Sequence, residues 1–277
     1  MIDEAGQRGA GLRTLAVDCG GTGIKACVLD PAGAMVSERL RVPTPYPCPP
    51  ERLVETVVGL AGGLPAADRA SVGLPGLVRH GVVHATPHFV TEAGPFTPRR
   101  VDLVQAWDGF DVQGALAVAL GMPVRAVNDA EVQGLAVVSG RGYEVVLTLG
   151  TGLGFAQFDE GRLLPKLELS QLPFRKKETY DQQLGNHARK ALGDERWSRR
   201  VLRAVGALQP FLWWDHLYLG GGNARHLSDT AVGELVRAGV VVVPNIAGLL
   251  GGVRLWELAD HAGAYPARPR GTGGGPG

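Results

Sequence analysis

Short apolar runs alternate with glycine turns and with segments of helical spacing along this chain. Leu15–Val17 leads into one glycine turn, and residues 24–29 return as a second strand. Residues 34–42 alternate between apolar and polar positions and predict a third strand, after a turn at residues 30–33. Apolar residues at helical spacing predict a helix over residues 51–64. The chain therefore opens with three antiparallel strands and a helix.

The same strand, glycine turn and strand occur again near the middle of the chain, over residues 145–149 and 155–158. Asp111 is a predicted N-cap for a helix that stops at Gly121. Further helices are predicted over residues 130–138, 180–191, 194–208, 228–237 and 246–258, and further strands over residues 71–74, 124–127, 216–219 and 240–243. Strands that alternate with helices predict an α/β fold, here as two similar halves with a cleft between them.

These elements divide the chain into four predicted parts. Residues 1–13 form a flexible leader and residues 14–141 an N-terminal lobe. Residues 142–260 form a C-terminal lobe, and the tail at 261–277, rich in glycine and proline, is predicted to be disordered.

Composition and charge exclude several classes of protein. The 277 residues carry 28 Lys and Arg against 27 Asp and Glu, so no nucleic-acid partner is expected. The 3 cysteines form no CxxC pair and no Cys/His cluster, which predicts reduced thiols, a cytoplasmic protein and no zinc. The N-terminus lacks the apolar core of a signal peptide, and no apolar run approaches the ~18 residues of a membrane span.

The first candidate phosphate site is the glycine turn that follows the first strand. Glycine lets the backbone approach an anion closely, and successive N–H groups of such a turn can bind it. A tight hairpin with a polar end explains the same residues equally well. Asp18, at the end of the strand, could hold Mg²⁺ through water. The candidate donor-binding residues are Asp18, Gly20, Gly21, Thr22, Gly23 and Lys25.

A second turn with the same character contains Gly150, Thr151 and Gly152. Two such turns, each after an apolar strand and each with threonine, indicate a nucleotide phosphate held between two lobes. A third group, Gly220, Gly221 and Gly222, would let an adenine ring lie against the backbone, or it is a plain strand-to-helix turn.

Asn128 and Asp129 stand at the end of a predicted strand. One interpretation is a helix N-cap provided by Asp129. The other is a general base that takes the proton of an attacking sugar hydroxyl, with Asn128 holding the sugar.

Taken together, these motifs resemble those of the ROK family of sugar kinases, within the hexokinase and actin-like ATPase superfamily. The resemblance spans about residues 12–258, and it rests on DCGGTGIK, GLPG, NDAEVQG, LTLGTGLG and YLGGGNA, in this order. It is strongest to the zinc-free branch that includes polyphosphate/ATP glucokinases. The resemblance implies a two-lobed, ribonuclease H-like fold, ATP or polyphosphate as donor, Mg²⁺, and a homodimer. It also implies that Asp129 is the catalytic base.

The resemblance further implies that Glu168 binds sugar hydroxyls, which suits a carboxylate. The family usually has glycine and histidine where this chain has Ser170 and Gln171, so Gln171 is a candidate sugar contact. His88 occupies the place of a sugar-contacting asparagine and is either its replacement or a plain loop histidine. These departures concern the choice of sugar rather than phosphoryl transfer.

A local basic region lies within residues 175–203, where nine basic and four acidic side chains give a net charge of +5. It is either a solvated helix face or a track for a polyanion such as polyphosphate.

The sequence therefore predicts a kinase that phosphorylates a hexose hydroxyl, similar to a glucokinase. The alternative is a ROK protein that binds sugar as a sensor without catalysis. Some relatives are repressors, but about a dozen residues before the first strand are too few for a helix-turn-helix unit.

Overall fold

The computed structural model describes residues 11–95, 97–243 and 249–258. The strands are β1 (Thr14–Gly20), β2 (Gly23–Leu29), β3 (Leu40–Val42), β4 (Arg69–Leu74), β5 (Leu77–Arg79), β6 (Val82–Ala85), β7 (Phe110–Asp111), β8 (Val124–Asn128), β9 (Tyr143–Leu149), β10 (Leu153–Asp159), β11 (Arg162–Leu163), β12 (Pro173–Arg175), β13 (Glu178–Thr179), β14 (His216–Gly220) and β15 (Val240–Val242). The helices are α1 (Pro50–Gly62), α2 (Val101–Trp107), α3 (Val112–Leu120), α4 (Asp129–Leu135), α5 (Tyr180–Leu184), α6 (Asn186–Leu192), α7 (Asp194–Leu212) and α8 (Asp229–Arg237).

Two five-stranded sheets with the same connectivity form the frame of the molecule. The first has the order β3-β2-β1-β4-β8 and the second the order β11-β10-β9-β14-β15. In each sheet a strand hairpin supplies antiparallel pairs, and the next two strands add in parallel. This mixed α/β architecture in two lobes confirms the predicted fold class, and it shows that the two glycine turns occupy equivalent places.

Each sheet has its own buried core. Helices α1 and α3 pack on the first sheet, where Leu53, Val57 and Leu116 are fully buried. Helix α7 covers the second sheet with a face that includes Trp197 and Val201. The short helix α4 contacts strands of both sheets, so its first residue is held where the lobes meet.

Several predicted element boundaries are wrong. The predicted strand over 34–42 is reduced to β3, and the predicted helix over 180–191 is two helices, because the chain turns at Gly185 with ψ 169°. The helix predicted over 130–138 ends at Leu135, and that over 194–208 extends to Leu212. The N-cap of α3 by Asp111 and its end at Gly121, with φ 65°, are confirmed.

The C-terminal segment contacts the first sheet rather than forming the predicted helix over 246–258. Residues 250–252 and 254–256 are 3-10 helices, and residues 244–248 lie outside the described residues. Leu249 and Val253 pack on Ala16 and Cys27, and the Ser71 hydroxyl donates to the Gly252 carbonyl at 2.6 Å. The lobe boundaries at 141 and 142 remain a prediction. The predicted leader and tail lie almost wholly outside the described residues. No described helix is long and apolar enough to cross a membrane.

Candidate active site

A cleft between the two sheets brings most of the predicted site residues together. It has a volume of about 880 Å³ including its open mouth. The predicted residues that line it are Gly20, Gly21, His88, Asn128, Asp129, Gly150, Thr151, Gly152, Glu168, Gln171, Gly221 and Gly222. Asp18, Thr22, Gly23, Lys25 and Gly220 lie outside this lining: Thr22 is exposed, and Gly23 and Gly220 are buried in strands.

The junction of β8 and α4 presents Asn128 and Asp129 to the cleft. Asn128, rather than Asp129, is the N-cap of α4, because its Oδ1 accepts from the Ala130 amide at 2.9 Å. The Asn128 Nδ2 donates to the carbonyls of Leu74 at 3.2 Å and Gly76 at 2.8 Å. Both amide hydrogens are thus used within the protein, so toward a ligand Asn128 can act through its oxygen alone.

Asp129 is the first residue of α4, and its carboxylate lies among other charges. Burial, and next the charge of Asp18, raise the pKa of Asp129 to about 6, while Lys166 opposes that rise. Burial raises the pKa of Glu131 to about 7, and the Glu131 side chain accepts from the backbone N–H of Asn128 at 2.9 Å. A carboxylate with a pKa near 6 is a stronger base than an exposed one and is still largely ionised at pH 7.

Glu168 presents a polar atom without a partner. Its Oε1 is buried and has no hydrogen-bond partner among the described residues. A buried acceptor without a donor is costly, and ligand hydroxyls entering the cleft can satisfy it. Gln171 is exposed at the same part of the cleft, where its Nε2 donates to the Ser170 hydroxyl at 3.3 Å.

The first glycine turn has its carbonyl groups occupied by side chains. The Thr44 hydroxyl donates to the Gly20 carbonyl at 2.6 Å, and the Tyr46 hydroxyl donates to the Gly21 carbonyl at 2.7 Å. His88 packs on Gly21, where a Cβ atom would lie 2.8 Å from its ring. Burial lowers the pKa of His88, and Asp181 opposes this, so a neutral imidazole covers the turn.

The second glycine turn also has a carbonyl group bound within the protein, by different donors. The Gly150 carbonyl accepts from Asn223 Nδ2 at 2.7 Å and from the Asn186 amide at 3.0 Å. No acceptor is found for the Thr151 and Gly152 amides in the part of the chain that the structure describes. In both turns the negative ends of the peptide dipoles are bound inside the protein, which favours an anion on the amide side.

Gly221 and Gly222 line the cleft beside the second turn. Gly221 has a φ of 91°, and a Cβ atom there would lie 2.6 Å from the Leu149 carbonyl oxygen. Glycine is required at this position by both its conformation and its close packing. The turn therefore leaves a bare backbone surface next to the candidate phosphate loop.

Asp18 lies on β1, just before the first turn, and its Oδ2 accepts from Lys25 Nζ at 2.9 Å. Its charge acts on Asp129, so the two carboxylates are close enough to repel each other. A divalent cation would relieve that repulsion, and Mg²⁺ is commonly held by one or two carboxylates together with substrate phosphates and water. The donor set therefore fits Mg²⁺. No group of three or more His, Cys, Asp and Glu side chains arranged for a metal ion is found within the described ranges.

Two charged residues of the cleft were not predicted from the sequence. Lys166 is buried, and its Nζ donates to the Phe155 carbonyl at 2.5 Å. Asp181, on α5, accepts from the Leu153 amide at 2.8 Å, and burial raises its pKa. In the sequence, Lys166 is marked only by its place two positions before Glu168. Asp181 carries none, because it reaches the cleft through tertiary packing.

Two lobes of equivalent topology, with two glycine turns facing one cleft, define the class of two-lobed actin-like ATPase folds. Residues 14–165 match the ROK family, and the chain belongs to that family.

Individual relatives agree with this assignment. The chain is 29% identical over 248 residues to the polyphosphate glucokinase of Mycobacterium tuberculosis (strain ATCC 25618 / H37Rv), covering 85% of this chain and 88% of the relative. The inorganic polyphosphate/ATP-glucomannokinase from Arthrobacter sp. strain KM has a similar structure, with a TM-score of 0.71, 28% identity, and coverage of 88% and 98%. A ROK family glucokinase from Streptomyces griseus, in complex with glucose and AMPPNP, shares the fold with a TM-score of 0.67 at 18% identity, over 88% of this chain and 99% of that one.

Proposed function

We propose that this ROK protein is a hexose kinase, similar to a glucokinase, that transfers a phosphoryl group from ATP or polyphosphate to a sugar hydroxyl. One observation carries the proposal. Asp129, a carboxylate whose pKa is raised to about 6, lines the same cleft as both glycine turns. Relatives named as polyphosphate glucokinase and polyphosphate/ATP-glucomannokinase, each 28–29% identical over most of this chain, support the hexose and the choice of donors.

In the proposed reaction Asp129 takes the proton of the attacking hydroxyl. The sugar oxygen forms a bond to the terminal phosphorus of the donor, and the bond from that phosphorus to the bridging oxygen breaks. The electron pair leaves with ADP or with the shortened polyphosphate. Phosphoryl transfer needs positioning and electrostatic stabilisation more than covalent chemistry. The amides of the two turns would provide that stabilisation for the phosphates.

Glu168 would orient the sugar by accepting hydrogen bonds from two hydroxyl groups through its unpartnered oxygen and its neighbour. Asn128 would accept a further hydroxyl through Oδ1, and Gln171 and His88 would contact the sugar from the rim. The backbone at Gly221 and Gly222 would lie against adenosine. Mg²⁺, when bound through water to Asp18, would neutralise charge on the donor phosphates.

A coupled ADP-release assay over a panel of hexoses tests the proposal. The same sugars are also incubated with polyphosphate, and sugar phosphate is measured. We expect turnover of at least one hexose, dependent on Mg²⁺, with ATP, polyphosphate or both. No phosphorylation of any sugar with either donor would contradict the proposal.

A sugar sensor without catalysis is the second candidate, favoured by Ser170 and Gln171 in place of the family's usual glycine and histidine. Sugar binding measured by calorimetry, together with no turnover, would support it. The resemblance alone supports a cytoplasmic homodimer, which light scattering on the purified protein tests for the oligomeric state.

A further inference from the structure

A second cavity in the C-terminal half is lined almost wholly by arginine. Its volume is about 540 Å³ including its open mouth, and its lining residues are Arg175, Leu192, Arg196, Arg199, Arg200 and Arg203. None of these described lining residues also lines the cleft. We call this cavity the arginine pocket.

Four of its arginines lie on one face of helix α7, at positions i, i+3, i+4 and i+7 from Arg196. Like charges at these spacings repel each other and destabilise a helix. Arg175 approaches them from β12, and it is the first of the neighbouring charges that lower the pKa of Arg200, after burial. A face that merely needed solvation would not require a further guanidinium from another element.

Few carboxylates offset this charge. No carboxylate is among the described residues that line the pocket, and the described ion pair nearest in sequence joins Arg189 to Asp194 at 2.8 Å, outside it. Glu178 acts on Arg200, but its Oε2 accepts from Gln183 Nε2. Five guanidinium groups thus surround a cavity whose described lining holds no carboxylate, and a bound anion would relieve their mutual repulsion.

The lining also indicates which anion. Guanidinium groups recognise phosphate through bidentate hydrogen bonds. The part of the pocket's lining that the structure describes has no aromatic ring to stack on a base, and no carboxylate or amide side chain to accept sugar hydroxyls. The chemistry therefore suits a ligand that is phosphate throughout. The arginines on α7 extend over eight residues, about 10 Å of helix from the first to the last, which suits a linear chain better than a single phosphate.

The arginine pocket is a close neighbour of the cleft. Gln171 lines the cleft and Arg175 lines the pocket, and these residues are four positions apart, at most about 14 Å of extended chain. On the other side, Arg200 Nη1 donates to the Gln183 carbonyl at 3.3 Å, two residues after Asp181 of the cleft. Residues that line the two sites are therefore close together in the fold.

We propose that the arginine pocket binds inorganic polyphosphate and anchors the tail of a chain whose end enters the cleft. The anchoring role rests on the proposed kinase function, whereas binding to the pocket does not. A longer chain would gain contacts that orthophosphate and ATP cannot make.

The test compares two triple variants of equal charge. One is Arg196→Gln/Arg199→Gln/Arg203→Gln in the arginine pocket, and the control is Arg52→Gln/Arg141→Gln/Arg237→Gln outside it. Calorimetry without sugar measures binding of long-chain polyphosphate, tripolyphosphate and orthophosphate at low and high salt. We expect the pocket variant to weaken long-chain binding about tenfold or more, with a reduced salt dependence, and the control to change it less than about twofold. Orthophosphate binding should change little in either variant.

Equal weakening in the two triples would mean general charge attraction and would overturn the proposal, as would a wild-type protein that does not bind long-chain polyphosphate. The KM for ATP, measured in the sugar assay, should be the same in all three proteins. Selective loss of polyphosphate binding with no sugar phosphorylation would sustain the pocket while removing the kinase proposal.

Discussion

The cleft and the arginine pocket differ in the groups with which they would meet phosphate. The cleft offers backbone amides of two glycine turns, one buried lysine, and carboxylates that include Asp129, Glu168 and Asp181. The arginine pocket offers guanidinium groups and a leucine. Arginine attracts phosphate charge most strongly, so a site that bound phosphate alone would need no carboxylates. The cleft nevertheless contains carboxylates.

This difference supports the proposal that the chemistry takes place in the cleft. Carboxylates would repel a phosphate, so their presence indicates a second ligand with protons to donate, as a sugar has. Amides can approach a phosphate closely without adding a charge that would pair with Asp129. We therefore expect changes in the cleft to alter turnover, and changes in the arginine pocket to alter affinity and its salt dependence.

The largest effect is expected for Asp129→Asn. Without a base the attacking hydroxyl keeps its proton, so kcat should fall about 10³-fold, within the range for general-base catalysis. The Kd for ATP should stay within about threefold, and long-chain polyphosphate should bind as in the wild type. Turnover by rapid quench and binding by calorimetry check these expectations. Wild-type turnover in the variant would remove Asp129 from the mechanism.

Glu168→Gln should act on sugar rather than on the donor. The amide loses charge-assisted hydrogen bonds to hydroxyl groups, so the KM for sugar should rise about 10- to 100-fold with little change in the KM for ATP. Glu178→Gln removes a carboxylate beside the arginine pocket and serves as the matched control. A similar rise in both variants would show that Glu168 does not bind the sugar.

Lys166→Met should change how activity depends on pH. Lys166 lowers the pKa of Asp129, so its removal should raise that pKa further. The acid limb of the kcat/KM profile should move to higher pH by about one unit. Lys190→Met, an exposed lysine on α6, should leave the limb in place. An unchanged limb in Lys166→Met would mean that the lysine does not act on the base.

The smallest expected effect is on stability. Because the pKa of Asp129 is raised to about 6, the folded protein binds more protons than the unfolded chain between about pH 4 and 6. The ionised carboxylate thus costs stability above pH 6, and this cost disappears below pH 4. Asp129→Asn should be more stable than the wild type at pH 7.5 by about 1–2 kcal/mol, less than a wholly buried group would give. Urea unfolding at pH 7.5 and 4 measures the difference, with the exposed Asp108→Asn as control. A variant less stable than the wild type at pH 7.5 would contradict this cost.

Local sequence patterns predicted the frame of the molecule well. Strand, glycine turn and strand occur twice, and each occurrence became the hairpin of a five-stranded sheet. Asp129 and residues of both turns follow predicted strands and line one cleft, whereas Glu168, which lines it too, was predicted only from the family resemblance.

Features that depend on tertiary packing were not predictable. The Lys166 side chain lies in the cleft because its Nζ donates to the Phe155 carbonyl. Asn128 rather than Asp129 caps α4, because the Asn128 side chain also donates to the carbonyls of Leu74 and Gly76. The basic region was visible as a charge count, but the arginine pocket requires Arg175 to approach α7 from a separate strand.

The dependence of kcat/KM for the sugar on pH, measured on the wild type at saturating donor, tests the central claim most directly. If Asp129 acts as base in the enzyme–donor complex that binds the sugar, kcat/KM should be constant near pH 8 and fall tenfold per pH unit below an apparent pKa near 6. A profile that stays flat down to pH 5 would contradict the claim that an ionised Asp129 prepares the sugar for phosphoryl transfer.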